Sequence, residues 1–406
     1  MIVRTKKTGI SVKFAFFIFV LICIGSADCT LSPQEATAER NLTVGALFSI
    51  HGDNSNGGIS SQIAVKIAEA DINKILSTLG RKIRVHVVIE DSQSDRNITL
   101  KAMKELQAQG IRIIIGPEES QTLSYVQKYA NDSGIILVSG SSTASSLAIK
   151  NDTIFRLVPD DDNLAHNMVS LMHRDGIKVI IPLARNDVWG DGMINAVKRE
   201  FGLKGGRTLD AVRYDPSTEN FSHELNLLHS EVIRASEGNG NGSVAVFVAA
   251  FDEILPIFSQ ANGDPKLSSV RWYDCDTSGI SLIHNPKASK FAVSTQLVFP
   301  TYGAGGSSKY EQIQKEVMNA TGREAETFAI NDYDALWLIT YTYLMVGSDD
   351  PDAFKWVFPL VAKTYRGNTG WMKLNDAGDL DNAPSTFVQL KENNGSFAYP
   401  TTYAIL

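Results

Sequence analysis

Cysteine is almost absent from this chain. Cys23, Cys29 and Cys275 are the only three in 406 residues, too few for a disulfide framework, so the fold must rest on packed apolar side chains. Catalytic and metal-ligand signatures are missing as well. There is no HExxH, no CxxC and no GxSxG elbow, and among the scattered histidines His223 and His229 are six apart, off a common helix face. The expectation is a chain that is not an enzyme, with no catalytic residue, no bound metal and no cofactor. Excess positive charge is lacking too: the net charge is −7, without the basic footprint of a nucleic-acid binder. No tandem repeat is visible. The tract Gly238-Asn239-Gly240-Asn241-Gly242 precedes a strand, whereas a phosphate loop follows one and opens a helix, so it reads as a turn.

What is present is ordinary globular material with an export signal. Hydrophobic residues make up 43% and charged residues 20%, enough to bury a sizeable core in a chain of this length. Arg4, Lys6, Lys7 and Lys13 precede the apolar run Phe14 to Ile24, and Gly25-Ser26-Ala27 follows it. That is the n-region, h-region and small-residue cleavage site of a secretory signal over residues 1–27. An uncleaved anchor, or a lipid on Cys29, is the competing use of this segment. Residues 28–41 read as a polar tether. Asn-x-Ser/Thr sites begin at Asn41, Asn97, Asn131, Asn151, Asn220, Asn241, Asn319 and Asn394, more than chance supplies, and they fit a glycoprotein outside the cytoplasm.

From residue 42 strand and helix patterns alternate. Leu42–Ile50, Ile83–Glu90, Ile111–Ile115 and Ile135–Val138 read as strands, with helices over 58–76, 95–109 and 120–131 between them. Fully apolar runs such as Ile111–Ile115 belong to buried parallel strands. A second unit follows, with strands over 177–183, 207–214, 244–249 and 270–272 and helices over 164–174, 191–201, 221–235 and 252–261. Residues 292–299 read as a strand, then come helices near 307–320, 328–346 and 351–364, and short strands at 370–374 and 385–391. This is an α/β pattern of two similar units, each a mainly parallel sheet flanked by helices.

Two serine-rich turns have the chemistry of an anion site. Ser120 opens a helix directly after a strand, and Ser139-Gly140-Ser141-Ser142-Thr143 follows the next strand. Hydroxyls and unpaired first-turn N–H groups there can hold a carboxylate, though the same residues also fit simple N-capping. The acidic run Asp160-Asp161-Asp162 sits at a helix start, where it complements the helix dipole.

Several stretches, in order, resemble the branched-chain amino-acid-binding (Leu/Ile/Val-binding) family of ABC transporters, the type I periplasmic binding proteins. They are Val44-Gly45-Ala46-Leu47, Ala68-Glu69-Ala70-Asp71-Ile72-Asn73, Ile114-Ile115-Gly116-Pro117, Gly134 to Ser139, Phe155-Arg156 with Asp161, Trp189-Gly190-Asp191-Gly192, Gly367-Asn368-Thr369-Gly370 and Asn375 to Asp379. The likeness spans about residues 42–395; the cysteine pair usual in that family's first lobe is absent. It implies two lobes joined by three crossover strands, lobe 1 being 42–157 plus 298–368 and lobe 2 being 158–297 plus 369–406. It further implies an extracytoplasmic solute-binding protein that traps an amino acid by hinge closure and delivers it to the permease subunits of an importer, as a monomer. An amide, urea or short-peptide binder, or a soluble sensory co-receptor, shares the fold. By the resemblance Ser120, Ser141 and Thr143 hold the ligand's α-carboxylate. Asp276 pairs with its ammonium, with Asp274 in reserve. Trp189 and Phe251 are the aromatic contacts, and the loop His51–Ser55 faces the ligand's side chain.

Overall fold

The computed structural model describes residues 40–275, 277–301, 307–326, 328–381 and 385–405. The expected signal, nearly all of the tether, Cys23, Cys29 and Asp276 lie outside the described residues. Two sheets organise the chain, each with helices on both faces.

The first sheet has the order β2-β1-β3-β4-β5, all parallel. Its strands are β1 (Arg40–Phe48), β2 (Ile83–Asp91), β3 (Ile113–Ile115), β4 (Ile136–Ser139) and β5 (Ile154–Arg156). Between them run α1 (Ser55–Thr78), α2 (Arg96–Ala108) and α3 (Ser120–Asp132). β3 and β4 are buried along their whole length, as strands covered on both faces must be. Gly58 brings the start of α1 onto the end of β1: a Cβ there would lie 2.1 Å from the Ser49 carbonyl oxygen. Only glycine allows that approach.

The second sheet has the order β13-β12-β11-β10-β9-β6-β7, with β8 also paired to β6. It is built from β6 (Val179–Arg185), β7 (Arg207–Thr208), β8 (Val212–Tyr214), β9 (Val244–Ala249), β10 (Arg271–Asp274), β11 (Val298–Thr301), β12 (Ser385–Asn393) and β13 (Ser396–Ile405). The helices α4 (Asp161–Arg174), α5 (Val188–Leu203), α6 (Ser222–Asn239), α7 (Ile254–Ala261) and α8 (Pro286–Ser294) accompany it. Asp160 caps α4 and Asp187 caps α5, each side chain accepting a first-turn backbone N–H. The chain then returns to the first sheet as α9 (Ser308–Thr321), α10 (Ala329–Val346) and α11 (Pro351–Thr364). α10 is almost wholly buried on every face, polar residues included, because it packs under the first sheet between neighbouring helices.

The parallel two-unit α/β reading agrees with this architecture, and its details change in four places. Residues 292–299 are not one strand: Asn285 accepts N–H groups of Lys287 and Ala288, Pro286 starts α8, and the strand begins only at Val298. The single strand expected over 207–214 is split in two, both parts pairing with β6. At 370–374 there are isolated bridges rather than a strand, and the closing strand is the unread β13.

The fourth change concerns the lobe boundaries. β11, expected in lobe 1, pairs with β10 on one side and β12 on the other, so it belongs to the second sheet. Met372 and Leu380, expected in lobe 2, are buried in the core under the first sheet. Hydrogen bonding and packing thus keep Thr301 and Ser385 with the second sheet, and Ile313, Met372 and Leu380 with the core of the first.

A candidate ligand cleft between the lobes

Strand order reverses between β1 and β3 in the first sheet, and the crevice beyond the carboxyl ends of such strands is where open α/β sheets hold ligands. A cavity of about 690 Å³, counting space open to solvent, lies there. The first lobe contributes Asn54, Gly57 and Ser61 from the start of α1, Glu118, Glu119 and Ser120 after β3, Ser141 and Thr143 after β4, and Glu326, Phe328 and Ala329 before and at the start of α10. The second contributes Asp161 and Leu164 from α4, Trp189 from α5, Phe251 and Asp252 after β9, and Cys275 after β10. Helix starts from both lobes face one space.

Five of the six ligand residues expected from sequence line this cavity: Ser120, Ser141, Thr143, Trp189 and Phe251. The sixth, Asp276, follows Cys275 but lies outside the described residues. Asp274 is fully buried at the end of β10 and does not line the cavity. Of the loop 51–55, Asn54 reaches it, while His51 turns to Asp91, with Nδ1 2.7 Å from Oδ2.

The serine turns are more tightly committed than expected. Ser120 Oγ accepts the backbone N–H groups of Thr143 (3.2 Å) and Ala144 (3.1 Å), so its lone pairs tie two loops together and its O–H hydrogen remains to donate. Ser141 Oγ donates to the Glu118 carbonyl at 3.0 Å. The Thr143 carbonyl accepts the Asp161 N–H at 2.9 Å, which joins this loop to the first turn of α4. Trp189 and Phe251 stack on each other, with ring centroids 4.6 Å apart, and the Arg185 guanidinium covers the Phe251 ring at 4.1 Å. Arg185 is held by Asp187 (2.8 Å) and Glu253, so the aromatic pair is braced from behind.

The carboxylates are what the residue-level reading undervalued. The sequence assigns Asp161 only a place in the acidic run that complements a helix dipole and in the family-like stretch with Phe155-Arg156. Asp161 is 1% exposed, and both its oxygens are buried without a hydrogen-bond partner. The Thr143 and Trp189 side chains stand beside it without forming a bond of good geometry. Burial pushes its carboxyl up to about 7, against the pull of Thr143 and Arg156. Glu118 is likewise held well above the usual range by burial and by the charges of Glu119 and Asp332. The sequence signal for these residues was acids next to Ser120 and at a helix start with no basic neighbour. Glu326 and Phe328, far along the chain, gave none. Among the described residues no cluster could hold a metal ion, and no helix is long and apolar enough to cross a membrane.

A family model described as receptor family ligand binding region matches residues 60–385. An uncharacterised protein of Methanocaldococcus jannaschii is 27% identical over 380 residues, covering 89% of each chain. The fold is that of type I periplasmic binding proteins. It resembles the branched-chain amino acid transporter substrate-binding protein of Streptococcus pneumoniae in complex with isoleucine, with a TM-score of 0.71, 17% identity, and coverage of 90% of this chain and 99% of that one. It is similar also to a solute-binding protein of an ABC transporter from R. palustris in complex with benzoate, with a TM-score of 0.70, 15% identity, and coverage of 90% and 97%.

Proposed function

The chain belongs to the receptor family ligand binding region, and from that premise we propose that it is the extracytoplasmic solute-binding protein of an ABC importer, closing on a zwitterionic amino acid. The observation that carries the ligand class is Asp161: a buried carboxylate, both oxygens unpartnered, lining the same cavity as the hydroxyls of Ser120 and Thr143. An ammonium answers Asp161 with a charge-assisted hydrogen bond, while Thr143, Ser120 and the first-turn N–H groups of α3 receive the carboxylate. Asp276, next to Cys275, is proposed as a second ammonium acceptor. A ligand such as benzoate, negative and without a cation, would leave Asp161 desolvated beside a second negative charge. A neutral amide would satisfy it less well than an ammonium. Because the donors sit on the first lobe and Asp161 on the second, one zwitterion bridges both, so binding and closure become one event.

A thermal-shift and calorimetry screen of the whole chain against amino acids, amides, urea and benzoates tests the ligand class. Stabilisation by α-amino acids alone is expected, on the order of 4 kcal/mol at about a thousand times Kd. Stabilisation by benzoates or urea and not by amino acids would replace this reading. Permease subunits that co-purify with the ligand-loaded protein would support the transport role. Turnover of a bound ligand would contradict it.

A further inference from the structure

Resting on the amino-acid reading, we propose that the part of the cavity lined by Glu118 and Glu119 receives a second cationic group, so that the ligand is an amino acid with a basic side chain.

Carboxylates reach the cavity from both lobes: Asp161, with the Thr143 and Trp189 side chains beside it, from the second, and Glu118 and Glu119, which follow β3, from the first. Among the described residues five carboxylates line the cavity, Glu118, Glu119, Asp161, Asp252 and Glu326, and no Lys, Arg or His does. Asp252 is answered from outside by Arg323 at 3.1 Å, and Arg185 is already shared by Asp187 and Glu253. Among the described residues no basic side chain forms an ion pair with Glu118 or Glu119.

Their hydrogen bonds orient them without cancelling their charge. Glu119 accepts the hydroxyls of Ser49 (2.5 Å), Ser94 (2.9 Å) and Thr122 (3.0 Å). Glu118 accepts the Ser49 backbone N–H at 2.8 Å. Behind them Asp332 is buried, with Ser61 and the Gly140 backbone beside it but no hydrogen bond of good geometry to either oxygen, in space that exists because residue 140 is glycine: a Cβ there would lie 2.5 Å from Asp332 Oδ1. A pocket for a neutral branched side chain would be lined by apolar groups. Here the fold instead orders two carboxylates at the wall and a third behind it, an arrangement that is unfavourable unless protons or a cation compensate it. Burial and the neighbouring charges hold Glu118 above its usual range, as expected where the compensating cation arrives only with the ligand. In the ligand-free protein protons can supply that compensation; an ammonium or guanidinium would replace them. The unpartnered Asp161, carried by the other lobe, supplies the independent anchor for the α-ammonium. Leu164, Phe251 and Phe328 on the lining give a methylene stem its contacts.

Titration calorimetry of the whole chain with L-lysine, L-arginine, L-norleucine and L-leucine decides the matter, since norleucine is lysine without its terminal ammonium. Lysine or arginine binding at least about tenfold more tightly than norleucine is expected, and which of the two binds better identifies the cationic head. In Glu119→Gln, and separately Glu118→Gln, that ratio should shrink at least about fivefold. Norleucine or leucine binding as tightly as both basic amino acids overturns this proposal while leaving the amino-acid reading intact. A ratio unchanged in both variants also overturns it. Binding of none of the four overturns the amino-acid reading and this proposal with it.

Discussion

Arg156 and Asp379 meet in a two-pronged ion pair, Nε to Oδ1 at 2.5 Å and Nη2 to Oδ2 at 2.7 Å, with both side chains sealed from solvent. One residue ends β5 and the other lies in the last passage between the sheets. The remaining guanidinium nitrogen, Nη1, donates to the carbonyls of Ser142 (3.1 Å) and Ala144 (2.8 Å). The pair therefore fixes the backbone on either side of Thr143 while tying two crossovers together. Asp379→Asn should destabilise the protein by about 3–5 kcal/mol, because it strands a buried guanidinium. Urea unfolding of the ligand-free protein measures this. The double variant Arg156→Met, Asp379→Leu should recover much of the loss in stability but not ligand affinity, since the Ser142–Ala144 loop loses its donor.

Asp161 separates binding from stability. Asp161→Asn should weaken amino-acid binding by about 2–5 kcal/mol, as removal of one side of a buried charge pair does. Thr143→Ala, which removes one neutral donor while backbone N–H groups remain, should cost only about 1–2 kcal/mol. The ligand-free Asp161→Asn protein should melt at a higher temperature than the parent, because a desolvated, unpartnered carboxyl has been removed. Calorimetry and thermal melts on the two variants establish the order. Asp161→Asn binding amino acids as tightly as the parent would place the ammonium elsewhere.

The raised carboxyls of Asp161 and Asp332 give a pH dependence of known sign. Both groups move from 3.8 to about 7 through burial, so between those values the folded ligand-free protein holds protons that the unfolded chain has released. Its stability should fall as pH rises from about 4 to about 7. Binding works in the opposite direction. An ammonium needs Asp161 ionised, so affinity for an amino acid should rise with pH up to about 7 and then level off. Up to one proton from Asp161 should be released per ligand near pH 6. Calorimetry in buffers of different ionisation enthalpy counts that proton, and Asp161→Asn should remove Asp161's share of the release.

All eight Asn-x-Ser/Thr asparagines have exposed side chains, and none lines the cleft. Glycans on protein from its natural source should therefore be tolerated without loss of binding. Intact mass before and after enzymatic deglycosylation, with calorimetry on both forms, tests this. A bare polypeptide mass would remove the glycoprotein expectation, and N-terminal sequencing of the same material would test cleavage after Ala27.

The sequence by itself determined the alternation of parallel strands and helices. Ile113–Ile115 or the face of α1 admits few other conformations, and periodicity is a local property. It also determined the helix-start serines, because a hydroxyl after a strand and before a helix has one evident use. It could not determine which loops face one another. Ser120 and Thr143 are local signals, but the worth of Asp161 depends on its burial without a partner. That of Glu118 and Glu119 depends on no described basic side chain forming an ion pair with them. Both conditions are set by residues far away in the chain. Glu326 reaches the cleft only because α10 is buried beneath the first sheet, and Gly140 matters only because Asp332 lies against it. The lobe boundaries moved for the same reason: β11 is apolar enough for either lobe, and only its hydrogen bonds to β10 and β12 assign it. Local pattern fixes what a segment becomes, while charge compensation and burial, which decide the ligand, exist only once distant segments have been brought together.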